Sequence, residues 1–330
     1  MNTDKDTISN QYDNNGLKTG YWIEKGKYLI EEAYYFKGRK EGVYKSYNLK
    51  TKRLLSFGEY KNNNKIGTTW YFFDDESRFL LWKEENITTQ TVKNKTGTGS
   101  RVQNVFRSYI TSYYPNGEIQ EKGTELYDDF ETGESISVGE HAYFDLHGNQ
   151  IFTKPDEWGF VQRSDGLKVK IYDKSVQIEK PLSYFQNKFD ENNYKTGLWI
   201  EKNGLIEVYY KNNLKEGVFR SYNRKNGKLS CFGEFTNGFR TGNWFYFNEK
   251  SQLVMIEKNI SINTDKIKKD DGKEIIPKFK SYVIIYYTNG SVREEGHALY
   301  DEDIEIDFFK TGIWKYYDKK GIILKQTKEQ

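Results

Sequence analysis

The chain has 330 residues, with 51 lysines and arginines against 48 aspartates and glutamates, so its formal net charge is only +3. This near balance excludes the strongly basic footprint of a nucleic-acid-binding protein, and we expect no nucleic-acid partner. Aromatic residues reach 17%, which excludes a disordered chain, because disordered chains are poor in rings. Cys231 is the only cysteine, which excludes a disulfide framework and a thiolate metal cluster.

The amino-terminal segment, residues 1–15, has neither an apolar core nor a small-residue cleavage site, so it is not typical of a secretory signal. No apolar run approaches the roughly 20 residues that a membrane span requires. We therefore expect a cytoplasmic protein without a transmembrane segment. The near-neutral charge argues against strong attraction to anionic membranes, and weak membrane association stays open.

One short phrase recurs along the chain: a glycine, any residue, an aromatic residue, two further residues and a second aromatic residue. It occurs at Gly42–Tyr47, Gly242–Phe247 and Gly312–Tyr317. We interpret the phrase as the opening of a β-strand whose glycine closes the preceding hairpin. The spacing of three puts the two rings on opposite faces of a regular strand, whereas a bulge would bring them to one face, and both arrangements stay open.

A longer repeat covers most of the chain. Lys18–Lys25 returns as Lys195–Lys202, and Lys40–Asn48 returns as Lys215–Asn223. Such self-similarity is the signature of a repeat architecture, so we expect two versions of one unit.

The two predicted halves comprise residues 9–152 and 187–330. Residues 153–186 have no counterpart and form the predicted connector, part of which we expect to be strand because it is rich in aromatic and β-branched residues.

Each half is built from a finer repeat that predicts hairpins. Val218–Asn223 and Lys228–Phe235 alternate like strands, and the four residues between them contain the Asn226-Gly227 hairpin signal. A single hairpin is marginal in water, so neighbouring hairpins must stack to bury their rings. The sequence therefore predicts an all-β protein, an elongated array of antiparallel hairpins in two duplicated halves.

Each half carries one polar insertion, at about residues 83–107 and about 257–280. We expect a long loop or an extended surface hairpin at each, and loops of this kind often carry function. If the chain binds a partner, the basic residues of the insertions are the predicted contacts: Lys93, Lys95, Arg101, Lys266, Lys268 and Lys269.

The chemistry-bearing residues do not form a catalytic pattern. His141 and His297 fall at strand positions and His147 in a turn, none with metal-ligand spacing. Cys231 lies within a predicted strand, where a small buried thiol is expected. We predict no enzyme activity, no catalytic or metal-binding residues and no cofactor.

The phrases at Gly312–Gly321, Tyr286–Gly290 and Asn237–Trp244 resemble the MORN-repeat variant of many bacterial proteins, often grouped as YwqK-type antitoxin-like proteins. His141 and Thr69 depart from that pattern, since each stands where a tryptophan is expected. The resemblance implies a MORN-like hairpin array that serves as an interaction scaffold.

Two functional hypotheses follow from this resemblance. The first is a non-catalytic protein-binding module, an immunity or antitoxin-like protein that binds and neutralises a toxin encoded nearby. The alternative is a structural or membrane-associated scaffold built on MORN repeats.

Overall fold

Two compact units make up the protein, Asn10–Lys188 and Phe189–Gln330. The computed structural model describes residues 9–73, 79–96, 99–114, 116–127, 135–145, 147–151, 160–162, 168–170, 186–268, 272–301 and 308–329. For residues 89–96, 99–105, 127, 135–136, 160–162 and 168–170 it describes the backbone only.

The first unit contains an eleven-stranded sheet whose strands are adjacent in chain order. Its strands are β1 (Gln11–Tyr12), β2 (Lys18–Lys25), β3 (Leu29–Phe36), β4 (Arg39–Asn48), β5 (Leu54–Lys61), β6 (Asn64–Phe72), β7 (Leu80–Thr96), β8 (Gly99–Tyr113), β9 (Ile119–Tyr127), β10 (Ser135–Phe144) and β11 (Gln150–Ile151). A separate two-stranded sheet joins β12 (Phe160–Gln162) to β13 (Lys168–Lys170), within the segment predicted as a connector.

The second unit contains another eleven-stranded sheet, in which β20 is paired directly with β23. Its strands are β14 (Lys188–Phe189), β15 (Lys195–Glu201), β16 (Ile206–Lys211), β17 (Leu214–Tyr222), β18 (Leu229–Thr236), β19 (Phe239–Phe247), β20 (Leu253–Ile262), β23 (Phe279–Tyr286), β24 (Val292–Tyr300), β25 (Phe309–Tyr317) and β26 (Ile323–Glu329). Between β20 and β23 lies a small hairpin, β21 (Ile267–Lys268) and β22 (Glu274–Ile275), and a 3-10 turn at Lys202–Gly204 follows β15.

The observed pairings are antiparallel between consecutive strands, so the predicted all-β array of antiparallel hairpins is confirmed. Among the described residues, no helix has the length and apolar content needed to cross a bilayer.

Two kinds of tight turn connect the hairpins. In the first kind two residues both adopt positive φ, as at Asn62-Asn63 and Asn237-Gly238, which is the conformation that matches the twist of the flanking strands. In the second kind an aspartate side chain closes the turn: Asp318 Oδ1 accepts hydrogen bonds from the backbone N–H groups of Lys320 and Ile322, each at 2.9 Å. Asparagine, glycine and aspartate are therefore the residues that set where each strand stops.

The recurring glycine lies inside a strand and not at its beginning, which corrects the expectation that it closes a hairpin. Gly242 is the fourth residue of β19 and has a φ of +66°, and Gly42 lies within β4 at +83°. The register of β18 against β19 shifts here, because Phe232 pairs with Phe245 whereas Glu234 pairs with Thr241, which leaves extra residues on β19 around Gly242. The glycine thus supplies a β-bulge, a left-handed position that a side chain would strain.

The two rings of the phrase lie on opposite faces of the sheet. The register shift near Phe247 places the extra residue on β20, because Tyr246 pairs with Met255 and Phe247 with Leu253. β19 itself therefore alternates regularly after the bulge, and Trp244 and Phe247, three residues apart, point in opposite directions. Both are buried, so each sheet buries side chains on both faces.

On one face, the first ring of the phrase packs over a glycine of the neighbouring strand. A Cβ added to Gly233 would lie 2.3 Å from the Trp244 ring, and one added to Gly296 would lie 2.6 Å from the Trp314 ring. His141 packs over Gly123 in the same way, which explains how a histidine replaces the expected tryptophan. These glycines provide close approach rather than a turn, and they let the rings lie flat against the backbone.

The predicted insertions adopt different structures. The first, near residues 83–107, is the long β7–β8 hairpin, which extends the ladder to the pair Thr96 and Gly99. The second folds back on itself: Asn263 is buried and its side-chain amide donates to the carbonyl of Pro277 at 2.8 Å. Of the alternatives stated for the insertions, an extended hairpin therefore describes the first.

Candidate functional site

A cluster of a cation, an indole, a tyrosine and a carboxylate surrounds the bulge of β19. The Arg240 guanidinium lies 4.1 Å from the centroid of the Trp244 ring and forms an ion pair with buried Glu257. The Tyr246 hydroxyl donates to Glu257 Oε2 at 2.5 Å and accepts from Arg240. Burial raises the pKa of Glu257 and the Arg240 charge opposes that shift, so this carboxylate depends on its partners.

The same arrangement recurs along both sheets, with the cation always two residues before the bulge glycine. Lys310 Nζ lies 4.1 Å from the Trp314 ring centroid and 2.5 Å from Glu294. Lys195 lies 4.2 Å from the Trp199 ring centroid and 2.9 Å from Glu201. In the first sheet, Lys18 covers Trp22 and pairs with Glu24.

Each cation covers its indole, and the lysines remain partly exposed, whereas Arg240 is itself buried. Trp314 is fully buried, whereas Lys310 is partly exposed. Such cation–π contacts add about 0.5–2 kcal/mol each. The face that carries these clusters is therefore a charged and aromatic surface, suited to binding.

One row of side chains runs across the second sheet beside these clusters, and we call it the groove row. It has one member on each of β17, β18, β19, β20 and β23, and each member pairs with the next across the sheet. In that order the members are Ser221, Cys231, Tyr246, Met255 and Ile285. Facing positions lie on one face of a sheet, so the groove row is one continuous surface.

The groove row forms the floor of an open groove with a volume of about 730 Å³. The lining residues are Lys215, Phe219, Ser221, Ser230, Cys231, Phe235, Arg240, Trp244, Tyr246, Val254, Met255, Ile285, Tyr286, Thr288 and Arg293. This volume falls within the range of ordinary ligand sites, and its residue types are those of binding surfaces.

Cys231 lines this groove and is half-buried, which corrects the expectation of a buried thiol. Its strand position within β18 is as expected. Its neighbours in the groove row are Ser221 and Tyr246, and all three residues belong to the lining of the groove. The reactivity of the Cys231 thiol should therefore depend on whether the groove is filled.

The corresponding row of the first sheet carries bulkier and more polar residues. Ser56 takes the place of Cys231, and Trp82 takes the place of Met255. The Trp82 ring stacks on Tyr71 with a centroid distance of 4.6 Å. The second sheet has no ring at that position, because Met255 pairs with Tyr246 there.

A second cluster, at His141, offers three possible metal ligands. Donor atoms of Glu121, Glu125 and His141 lie within 4.8 Å of one another. However, His141 Nε2 lies 2.9 Å from the carbonyl of Thr124 and Nδ1 lies 2.8 Å from Glu121. Both ring nitrogens are therefore already occupied, and the histidine is explained as a ring over Gly123 that also pairs with a carboxylate.

The other histidines lie where expected, His297 within β24 and His147 in a turn. The His297 ring packs against Tyr282 at a centroid distance of 5.1 Å. Its backbone carbonyl accepts a hydrogen bond from Trp314 Nε1 at 2.8 Å, which is a structural role.

The basic residues predicted to contact a partner do not form one cluster. Lys93, Lys95 and Arg101 lie in the β7–β8 hairpin of the first unit, where only their backbone is described. Lys266 and Lys268 are exposed in the second unit beside β21, and Lys266 lies 3.6 Å from Glu274. Lys269 lies outside the described residues. These six residues stay a separate hypothesis for partner contact.

One signal for the clusters is visible in the sequence. The cation two residues before each glycine is visible at Lys18, Lys195, Arg240 and Lys310. The groove row gave no such signal, because its members are brought into line only by the strand register.

Comparison with known proteins adds little to this description. No protein-family model matches the chain, and none of the curated proteins matches it. Among solved structures, a chain of the Photorhabdus luminescens Tc holotoxin pore is similar at 11% identity and a TM-score of 0.17, over 97% of this chain. The aligned region is 16% of that chain, so this protein spans only a small part of its length.

Proposed function

We propose that this chain is a non-catalytic protein-binding repeat module. In our proposal it acts as an immunity or antitoxin-like protein that binds and neutralises a partner toxin in the cytoplasm, and the groove of the second sheet is its binding site. The observation that carries the proposal is the lining of that groove, in which Trp244, Tyr246, Arg240 and Met255 lie together. Tryptophan, tyrosine and arginine dominate the energetics of protein interfaces, and methionine is enriched there.

The chemistry of the lining favours binding over catalysis. Cys231 is the strongest nucleophile among the lining residues. No histidine and no carboxylate, the usual general bases, occurs among these described lining residues. The rigid sheet beneath the groove supplies a preformed surface, which lowers the entropy lost on binding.

The test uses the purified chain and the product of the gene adjacent to its own, mixed and titrated by calorimetry. We expect a complex that the Met255→Trp variant weakens at least tenfold, because that variant introduces the ring that stands at Trp82 in the first sheet. The matched control is Trp82→Met, which changes the same row position in the other unit and should leave affinity unchanged.

Two outcomes would contradict the proposal. One is the absence of any complex with the neighbouring product together with no rescue of growth when both are co-expressed. The other is a complex whose affinity is the same for the wild-type chain and Met255→Trp, which would place the binding site elsewhere.

A further inference from the structure

The groove carries charge of one sign. Its lining contains three cationic residues, Lys215, Arg240 and Arg293, and no aspartate or glutamate occurs among the described lining residues. The whole chain, in contrast, has nearly equal numbers of basic and acidic residues. The partner that fits this groove should therefore bring negative charge.

Lys215 gives the clearest evidence, because its counterpart in the first sheet is neutralised. Lys40 forms an ion pair with Glu31. Glu31 faces Ser46, and in the second sheet the residue that faces Ser221 is Ile206. Lys215 thus faces the groove with the Phe235 ring 4.9 Å away. Within the described residues it forms no ion pair, and the carboxylate that its charge reaches, Glu201, is already paired with Lys195.

The other cations leave a further excess of positive charge. Arg240 is balanced by Glu257. Arg293 and Lys310 share one carboxylate, Glu294, at 2.9 Å and 2.5 Å. Counting the lining cations Lys215, Arg240 and Arg293 against Glu257 and Glu294 gives three minus two, a local charge of +1, and Lys310, outside the lining, adds to this excess because it shares Glu294.

The floor of the groove is apolar and spans several strands. Val254, Met255 and Ile285 lie between the cationic ends of the lining. The lining runs from β17 to β24, six strands in a row. At about 4.8 Å between strands this is on the order of 24 Å, which matches about seven extended residues.

We infer that the groove binds an acidic, extended segment of the partner protein, about seven residues long, in which carboxylates alternate with apolar side chains. This inference rests on the proposed function and names the chemistry of the partner. The carboxylates meet Lys215 and Arg293, and the apolar side chains cover Met255 and Ile285. Methionine and aromatic side chains adapt to different apolar shapes, so the charges, rather than the apolar floor, determine which partner segment binds.

The probe is a fluorescein-labelled seven-residue peptide that alternates glutamate with leucine and phenylalanine, measured by fluorescence anisotropy with the full chain. The matched peptide carries glutamine in place of every glutamate. We expect the glutamate peptide to bind at least tenfold more tightly than the glutamine peptide, with an affinity that falls as salt is added.

The decisive variant is Ile206→Glu, which restores beside Lys215 the carboxylate that Glu31 supplies to Lys40. We expect it to weaken binding of the glutamate peptide about tenfold, whereas the uncharged variant Ile206→Gln keeps the wild-type affinity. Glu31→Ile, in the first sheet, should change nothing. Lys215→Glu should abolish the preference for the glutamate peptide.

Three results would overturn the inference: equal affinity for the two peptides, equal affinity of Ile206→Glu and Ile206→Gln, or tighter binding of a seven-nucleotide thymidine strand than of the glutamate peptide. The experiments distinguish failure of this inference from failure of the proposed function. If Met255→Trp weakens the protein partner but Ile206→Glu does not, the groove binds a partner without the acidic segment, and only the inference is lost.

Discussion

The two sheets keep the same framework and differ along one row. Both bury an ion pair on the face opposite the groove, Lys45 with Glu32 at 3.0 Å and Arg220 with Glu207 at 2.8 Å. Along the groove row, however, Trp82 of the first sheet corresponds to Met255 of the second. The ion pairs of the framework are buried and tolerate few alternatives. In the second sheet Met255 and Ile285 are only half-buried, so that part of the row has more freedom to change.

The largest effect is expected from the buried ion pairs. Arg220→Met removes the cation from buried Glu207, which then keeps the hydrogen bond from the Tyr222 hydroxyl at 2.7 Å. This change should lower the free energy of unfolding of the second unit by about 3–5 kcal/mol. Lys45→Met should do the same to the first unit, if the two frameworks are equivalent. Hydrogen exchange measured peptide by peptide assigns the loss to one sheet.

The control for this prediction is Arg224→Met, an exposed cation in the turn after β17. It should cost well under 1 kcal/mol. A loss as small for Arg220→Met as for Arg224→Met would contradict a structural role of the buried pair.

The second largest loss of stability is expected from substituting the glycines beneath the rings. Gly233→Ala places a methyl group 2.3 Å from the Trp244 ring, and we expect a loss of about 1–3 kcal/mol, measured by urea unfolding. In the first sheet, Gly58→Ala meets Thr69 Oγ1 at 2.6 Å and Tyr44 at 2.9 Å.

The clash that Gly58→Ala makes in the first sheet can be partly relieved by removing the Thr69 hydroxyl. Gly58→Ala should cost less in a Thr69→Ala background than in the wild-type chain, because the nearest contact is gone. Equal costs in both backgrounds would show that Tyr44 or the backbone, and not Thr69, limits the space.

A smaller effect on stability, but a clear one on reactivity, is expected from exchanging the row residues. Met255→Trp should slow alkylation of Cys231 several-fold by covering the thiol, at a cost of less than about 1.5 kcal/mol. The reciprocal chain, Cys231→Ser with Ser56→Cys, moves the thiol to the first sheet. There the Trp82→Met change should speed alkylation. If both alkylation rates stay unchanged, the groove geometry is contradicted.

The smallest effect is a pH dependence shared by both sheets. Burial, followed by the Glu201 carboxylate, raises the pKa of Tyr210 to about 12, from about 10 in an unfolded chain. Tyr35, at the same position of the first sheet, has its pKa raised by burial and by Glu24. Each tyrosine therefore adds stability below pH 10 that is lost as the pH rises through the folded value.

Absorbance at 295 nm, followed through an alkaline titration, checks this prediction. Tyr210→Phe should remove one late-titrating group and flatten the alkaline decline of the second unit. The partner Glu201 behaves in the opposite sense, because its pKa is lowered by Lys195 and Tyr210 against the opposing effect of burial. Its contribution is lost as the pH falls below about 4.5.

The fold was predictable because its signals are local. Gly227 specifies a turn by its positive φ and Asp318 by the hydrogen bonds that its side chain accepts, and the recurrent rings specify strands. The duplication could be aligned by residue identity alone. The position of Gly242 inside its strand could not be predicted, because a turn and a bulge both use a glycine with positive φ.

The groove was not predictable, for a reason of register. Cys231, Tyr246 and Met255 are far apart in sequence, and only two ladders with bulges bring them side by side. A bulge displaced by one residue would turn Cys231 to the other face. The role of Ile206 could not be predicted either. It matters because the first sheet has a carboxylate, Glu31, at the corresponding position and the second sheet does not.

The lengths of the edge strands determine how far each array can grow. A hairpin array has no intrinsic stop, since each strand offers the next one a free ladder of N–H and C=O groups. Of the four edges of the two large sheets, three are strands that comprise two residues in the part of the chain that the structure describes: Gln11–Tyr12, Gln150–Ile151 and Lys188–Phe189. The fourth, Ile323–Glu329, is longer but carries Lys325 and Lys328. Short and charged edges are poor templates, so a protein made of repeating hairpins is protected against joining its own copies into fibres.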